Sequence, residues 1–155
     1  MTVPAPTVRP PSRTANRTRV ARAVYQQDRL GDWQVIFETN VTKFGTQHFG
    51  SRFGWLPDGT LLLSIGDGGN PPVRLEGRFI REHAQNLANP LGTIARINPD
   101  GTIPADNPFI DQEGARPEIY SYGHRNIQGL VYDPLRQKIW VTEHGALGGD
   151  ELNQP

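Results

Sequence analysis

Residues 53–68, Phe53-Gly-Trp-Leu-Pro-Asp-Gly-Thr-Leu-Leu-Leu-Ser-Ile-Gly-Asp-Gly68, read as two strands around a tight turn. Pro57 presets φ at the turn, Gly59 accepts a positive φ, and the flanking apolar and aromatic residues suit a pleated, buried surface. A second stretch repeats the plan. Gln128-Gly-Leu-Val-Tyr-Asp-Pro-Leu-Arg-Gln-Lys-Ile-Trp-Val-Thr-Glu-His-Gly145 again runs strand, Asp/Pro turn and apolar strand, and both stretches close on an acid and a glycine. Outward from these, residues 20–25 alternate, residues 28–32 are expected to turn, and residues 33–37 return as a second strand. Residues 92–97 alternate into the turn Asn98-Pro-Asp-Gly101, and residues 118–122 supply a further strand. Only residues 74–90 are rich in helix formers, ahead of Asn89-Pro90, and they predict one helical turn or a loop. The chain is therefore expected to be all-β. Recurring strand pairs of this kind mark the blades of a β-propeller, and at about 40–50 residues per blade the chain supplies about three.

Composition narrows the possible roles. The longest apolar run, Leu61-Leu62-Leu63, falls far short of the roughly 18 residues that a membrane-spanning helix needs, so no membrane span is expected. No cysteine is present, which removes disulfides and thiolate metal sites. Sixteen Lys+Arg balance sixteen Asp+Glu, but the balance hides an asymmetry. Residues 1–30 hold six arginines (9, 13, 17, 19, 22 and 29) against Asp28, whereas from Asp100 onward nine acids face four bases. The arginines are scattered among Pro, Thr and Ala without a helical face or interleaved aromatics, which predicts a solvated head and no nucleic-acid surface. Residues 1–17, with four prolines and no apolar periodicity, predict a disordered or extended leader, leaving 18–155 as the propeller part. That leader lacks the apolar core of a secretory signal, so no export signal is expected within it.

Several chemistries are excluded by spacing. Gly66-Asp67-Gly68-Gly69-Asn70 lacks the G-x-G-x-x-G fingerprint and opens onto Pro71-Pro72, so it seats no dinucleotide on a helix start. No G-x-S-x-G or H-E-x-x-H occurs, and residues 100–111 miss the Gly and Glu of a calcium hand. Three clusters remain. Gln47-His48-Phe49-Gly50-Ser51-Arg52 puts a histidine ahead of a strand among small residues. Tyr122-Gly123-His124-Arg125-Asn126-Ile127-Gln128-Gly129 brackets an arginine and two amides with glycines. Thr142-Glu143-His144-Gly145-Ala146-Leu147-Gly148-Gly149-Asp150-Glu151-Leu152-Asn153 sets a glycine loop beside paired carboxylates. Taken singly, each has a plainer reading: a packing histidine, an Arg-Asn brace on a turn, and a loop that merely reverses the chain.

In order and spacing, however, H-x-G-x-R, G-D-G-G-N, L-G-T-I-A-R-I-N-P-D-G-T-I-P-A-D-N-P, Y-G-H-R-N-x-Q-G-L and E-H-G-x-x-G-G-D-E-L-N together resemble the soluble glucose/sorbosone dehydrogenases. The likeness covers residues 20–155. It implies a six-bladed β-propeller that oxidises aldoses at C1 to lactones, with pyrroloquinoline quinone (PQQ) and Ca²⁺ as cofactors and an external electron acceptor. It also implies a periplasmic or secreted protein. By resemblance, His48 occupies the position of the catalytic base, Arg125 that of the residue stabilising charge on the quinone oxygen, and Asn126 that of a cofactor hydrogen-bond donor. The Gly145 and Ala146 carbonyls match ligands of the cofactor's calcium, and Asp150 and Glu151 match structural calcium positions. These roles meet physical need: an imidazole titrating near pH ~6.5 is suited to take a hydroxyl proton. A fixed guanidinium stabilises developing negative charge, and carbonyls and carboxylates suit a hard cation.

Departures from the family pattern are Ala146 for the usual Pro, and Thr93, expected as a surface change, for the common Lys. Further blades, carrying Lys and Arg partners of the PQQ carboxylates, are implied beyond Pro155. Without them the 155-residue chain is expected to be inactive or prone to aggregate, because blade faces stay exposed. Two rival readings are a non-enzymatic propeller that binds a ligand or partner, and a calcium-dependent lactonase on a similar propeller.

Overall fold

The computed structural model describes residues 15–155, so most of the expected leader lies outside the described residues. Its end does not. Ala15–Asn16 forms a short strand (β1), and Arg17 and Arg19 both ion-pair with Glu38. This end of the basic head is thus paired and still solvated, with both arginine side chains half or more exposed. Arg19–Gln26 (β2) and Arg29–Glu38 (β3) make the first hairpin, and Lys43–Phe44 (β4) pairs antiparallel with β1.

The first turn is not where it was expected. It is a two-residue connection at Gln27-Asp28, with φ of 49° and 59°, the pairing of positive φ values that matches the twist of flanking strands. The Tyr25 hydroxyl donates to Asp28 Oδ1 at 2.7 Å and braces it. Gly31 and Asp32, read as turn residues, lie inside β3 where the register shifts opposite Arg22 and Val24, so they form an irregularity in the ladder.

Phe53–Trp55 (β5) and Leu61–Ile65 (β6) form the hairpin that the quoted stretch predicts. At its turn Gly59 has φ 81°, and Asp58 Oδ1 accepts from the N–H and hydroxyl of Thr60 at 2.9 and 2.7 Å. Those bonds, with Arg96 alongside, hold the Asp58 carboxyl at about 2. After β6 come Arg74–Leu75 (β7) and Arg78–Phe79 (β8), a small hairpin that was not anticipated. The 3-10 helix Ile80–Gln85 follows and realises the expected helical turn. Thr93–Ile97 (β9) and Ile119–Tyr122 (β10) then complete an antiparallel sheet in the order β5-β6-β9-β10. Ile127–Asp133 (β11), Lys138–Glu143 (β12) and Glu151–Asn153 (β13) form a third sheet in chain order. β13 was unforeseen, since residues 151–153 read as part of a metal loop.

Packing explains the arrangement. Every residue of β6 and β9 is buried, so this strand pair must be covered on both faces. Alternation sends Leu61, Leu63 and Ile65, with Ala95 and Ile97, against Val20 and Phe37 of the first hairpin. Leu62 and Ile94 face the opposite way, against Ile127, Ile139 and Val141 of the third sheet. Thr93, expected at the surface, is buried. It sits in the doubly covered pair opposite Ile65, and its hydroxyl donates to the Pro90 carbonyl at 2.7 Å. Arg96 is tolerated there because Asp58 and Asp106 accept from it at 2.6 and 2.8 Å and Thr60 Oγ1 at 3.0 Å. The result is one complete four-stranded blade between parts of two neighbours, a partial β-propeller.

Leu62 has no exposed surface. Leu62→Ala should therefore lower stability by about 2–5 kcal/mol, read as a lower urea midpoint with an unchanged slope. Leu135→Ala, at a side chain 90% exposed, should stay within about 0.5 kcal/mol of wild type.

Candidate functional site

The loops at one set of strand ends bring the first two sequence clusters together. His48 Nδ1 lies 2.6 Å from Asp67 Oδ1. Asp67 is buried just past β6, accepts the Gly69 N–H at 3.0 Å, and donates its own N–H to the Arg125 carbonyl at 2.7 Å. A carboxylate only accepts, so Nδ1 of His48 donates in this pair, and the neutral form of the ring then carries its lone pair on Nε2. The Gly50 N–H donates to Asn126 Oδ1 at 3.1 Å, which ties the His48 loop to the second cluster. Gly66 permits that approach: a Cβ there would strike the His48 carbonyl oxygen and crowd Asn126 Oδ1.

Arg125 is gripped at both ends. Its N–H donates to Glu143 Oε2 at 2.7 Å, while the guanidinium donates to the His144 carbonyl at 2.9 Å and to Asn70 Oδ1 at 3.0 Å. Its buried Nε has no hydrogen-bond partner among the described residues.

An internal period underlies this geometry. His48 and Asp67 are 19 residues apart, as are His124 and Glu143, whose Nδ1 and Oε1 lie 2.9 Å from one another. Contacts such as Gly50 to Asn126 and Arg52 to Gln128 join positions 76 residues apart, the same step that carries His48 onto His124 and Asp67 onto Glu143. Glu143 also accepts from Asn153 Nδ2 at 2.9 Å. Burial works against its ionisation, but the bonds from His124, the Arg125 N–H and Asn153 prevail and hold its carboxyl below the ordinary value. Ser121 Oγ stands 2.8 Å from His124 Nε2, so Ser121, His124 and Glu143 follow the order of a nucleophile relay. The Gly123 and His124 N–H groups, however, are bonded to the carbonyls of Ala84 and Gly92, and neither is free to stabilise an oxyanion. That string is a buried brace.

The third cluster closes on itself. Asp150 Oδ1 accepts the Gly145 N–H at 2.9 Å, which holds its carboxyl below the ordinary value with help from His144. Glu151 stands in β13 and accepts from Asn153 at 2.8 Å. Asp150 and Glu151 thus turn to separate partners, and among the described residues no three His, Asp or Glu side chains gather to hold a metal. Gly145 is closely packed by its own loop, since a Cβ would meet the Gly148 carbonyl.

Four residues of the site were given no role from sequence: Lys43, and Asp67, Asn70 and Glu143, which stood within motifs without an assignment. A signal existed for two of them, because both quoted strand pairs end on an acid followed by glycine or His-Gly. Lys43 gave none, being a lone lysine at the end of a polar stretch. Its ammonium is buried and donates to the carbonyls of Gln47, His48 at 3.1 Å and Gly68 at 3.3 Å. It also lies 3.7 Å from the centre of the Phe49 ring. Burial pulls its pKa down to about 8, with the Asp67 charge opposing.

The family model for glucose / sorbosone dehydrogenase matches residues 7–155. The chain belongs to the glucose/sorbosone dehydrogenase family. It is 70% identical over 139 residues to an uncharacterized protein of Synechocystis, covering 90% of this chain and 34% of that protein. To an aldose sugar dehydrogenase of Escherichia coli it is 38% identical over 128 residues, covering 82% of this chain and 32% of that one. The chain thus spans about a third of the length of these curated relatives. Among solved structures, a glucose dehydrogenase superposes with a TM-score of 0.78 at 36% identity, covering 88% of this chain and 40% of that one. The PQQ-bound aldose sugar dehydrogenase of Streptomyces coelicolor gives 0.70 at 32% identity, with 88% and 37% covered.

Glu143 has a folded pKa below its ordinary 4.5, so its bonds add stability above that pH, and the gain is lost as pH falls through the folded value. Glu143→Gln should therefore lower stability near neutrality and flatten the acid limb below about pH 4.5, measured by urea unfolding across pH 3 to 7.

Proposed function

We propose that the protein containing this segment oxidises aldose sugars at C1 to lactones, passing hydride to PQQ and electrons onward to an external acceptor. The observation that carries this reading is the His48–Asp67 pair, an imidazole with Nδ1 held by a buried carboxylate and Nε2 unengaged, on the same loop cluster as Arg125. Such a pair is built to accept a proton at Nε2 from a sugar hydroxyl, with Asp67 stabilising the imidazolium that results.

PQQ is rich in acceptors, with carboxylates and quinone oxygens, and the donors left over here suit it. Arg125 has its unpartnered buried Nε, and Asn126, with Oδ1 engaged by Gly50, keeps its NH₂ for a ligand. When bound, PQQ supplies the quinone that takes up hydride. Arg125, anchored through two nitrogens to the His144 carbonyl and Asn70, would hold a fixed positive charge for it without reorganisation during reaction. For calcium, the proposed ligands are the Gly145 and Ala146 carbonyls, with Asp150, whose carboxyl the Gly145 N–H holds below its ordinary value, and Glu151 as neighbouring carboxylates. Family membership, a PQQ-bound neighbour in the same fold, and relatives named as sugar dehydrogenases support the substrate and cofactor class. No helix among the described residues is long and apolar enough to cross a membrane; the periplasmic or secreted location is proposed from the family resemblance alone.

In the whole protein, His48→Ala should cut PQQ-linked dye reduction with aldoses by roughly 10²–10⁴-fold. PQQ binding, followed by absorbance titration, should be nearly retained. Turnover equal to wild type sinks the assignment of His48 as the base.

A further inference from the structure

The loop that presents His48 has an unusual backbone. His48, Gly50 and Ser51 all take positive φ, at 51°, 66° and 71°. A non-glycine residue in that region is strained and persists only where its surroundings over-determine it. Here the surroundings are a cation. Lys43 enters from β4, is buried, and directs its ammonium at the carbonyls of Gln47 and His48 on one loop and of Gly68 on the other. Gly68 follows Asp67, so one ammonium binds the backbone on both sides of the His48–Asp67 hydrogen bond. The Phe49 face closes the remaining side.

None of the three acceptors is a carboxylate: the ammonium occupies a cage of backbone carbonyls of the kind that elsewhere receives a hard metal ion. Its donors are committed to those carbonyls, which leaves it holding the loop and not touching substrate. We infer that Lys43 is a positioning residue, a covalently tethered cation that fixes the His48 loop and the Asp67 turn in register for proton transfer. The inference rests on the reading of His48 as the base. Misplacing a base by about an ångström is enough to cost roughly a hundredfold in rate.

The test uses the whole protein, with and without PQQ. Lys43→Met keeps the apolar stem and removes the charge; Lys43→Gln keeps two N–H donors without charge; Lys43→Ala opens the cage. For Lys43→Met, kcat should fall roughly ten- to hundredfold, with KM for the sugar and PQQ affinity held within about twofold. In the apoprotein, the rate at which diethyl pyrocarbonate modifies His48, followed by peptide mass spectrometry, should rise as the loop loosens. Lys43→Gln should fall between wild type and Lys43→Met in both readouts. Ethylammonium chloride should restore kcat and the slow His48 modification rate in Lys43→Ala, and leave Lys43→Met unchanged because its side chain fills the cage.

Wild-type kcat and an unchanged His48 modification rate in Lys43→Met overturn the inference, as does a loss of kcat without any change at His48. Misfolding of all three variants even with ethylammonium present also overturns it, by assigning Lys43 to the fold as a whole. If the wild-type protein loaded with PQQ oxidises no aldose, the proposed function fails, while the His48 modification rates still decide the role of Lys43.

Discussion

Two strands, Leu61–Ile65 and Thr93–Ile97, are buried at every residue, and the molecule is organised around satisfying that pair. A strand whose neighbours cover both faces has no polar side. Its alternation divides the core into two clusters, each claimed by a different sheet. Burial at this density makes the position of the strand ends rigid, because interiors packed like crystals transmit displacement and do not absorb it. The loops leaving those ends therefore start from fixed points. Asp67 is two residues beyond the end of β6, and its distance to His48 follows from where β6 stops.

The site is assembled across blades. His48 precedes the central blade, Asp67 follows that blade's second strand, Arg125 stands between that blade and the next, and Glu143 ends the second strand of the next. Backbone groups make most of the joins, as between Asp67 and Arg125 or Gly50 and Asn126. Side chains then meet them through charge-assisted bonds, which are about twice as strong as neutral ones. The same buried carboxylates are costly if left alone, so each is surrounded: Asp67 by His48 and Gly69, Glu143 by His124, Arg125 and Asn153. The internal period supplies two copies of one device, an acid at a strand end bonded to a histidine 19 residues earlier. In one copy the imidazole keeps a free nitrogen; in the other, Ser121 occupies it and the pair braces Arg125.

Much of this was legible before folding. The hairpin at Pro57-Asp58-Gly59 and the turn at Asn98-Pro-Asp-Gly101 were readable because proline and glycine act locally, on φ alone. The turn at Gln27-Asp28 was not, because neither residue is glycine and the positive φ values are imposed by the pairing of β2 with β3. The strand Glu151–Asn153 was hidden for a similar reason: its acidic, loop-like sequence extends only because β12 offers an open edge. Thr93 read as a surface position because it stands where the family commonly has Lys; coverage on both faces of the blade put it inside.

By itself the sequence determined the class of fold, through strand alternation and turn chemistry. The ordered motifs also carried the family and the candidacy of His48, Arg125, Asn126 and the glycine loop. These are properties of short stretches, where a residue's backbone preference or functional group can be read in place. Tertiary structure alone decided which groups meet: that Asp67 orients His48, that Glu143 holds Arg125, that Lys43 closes a cage of carbonyls, and that Asp150 and Glu151 take separate partners. Such pairings depend on distances between residues far apart in the chain, and those distances exist only once the doubly buried strands have set the blades against one another.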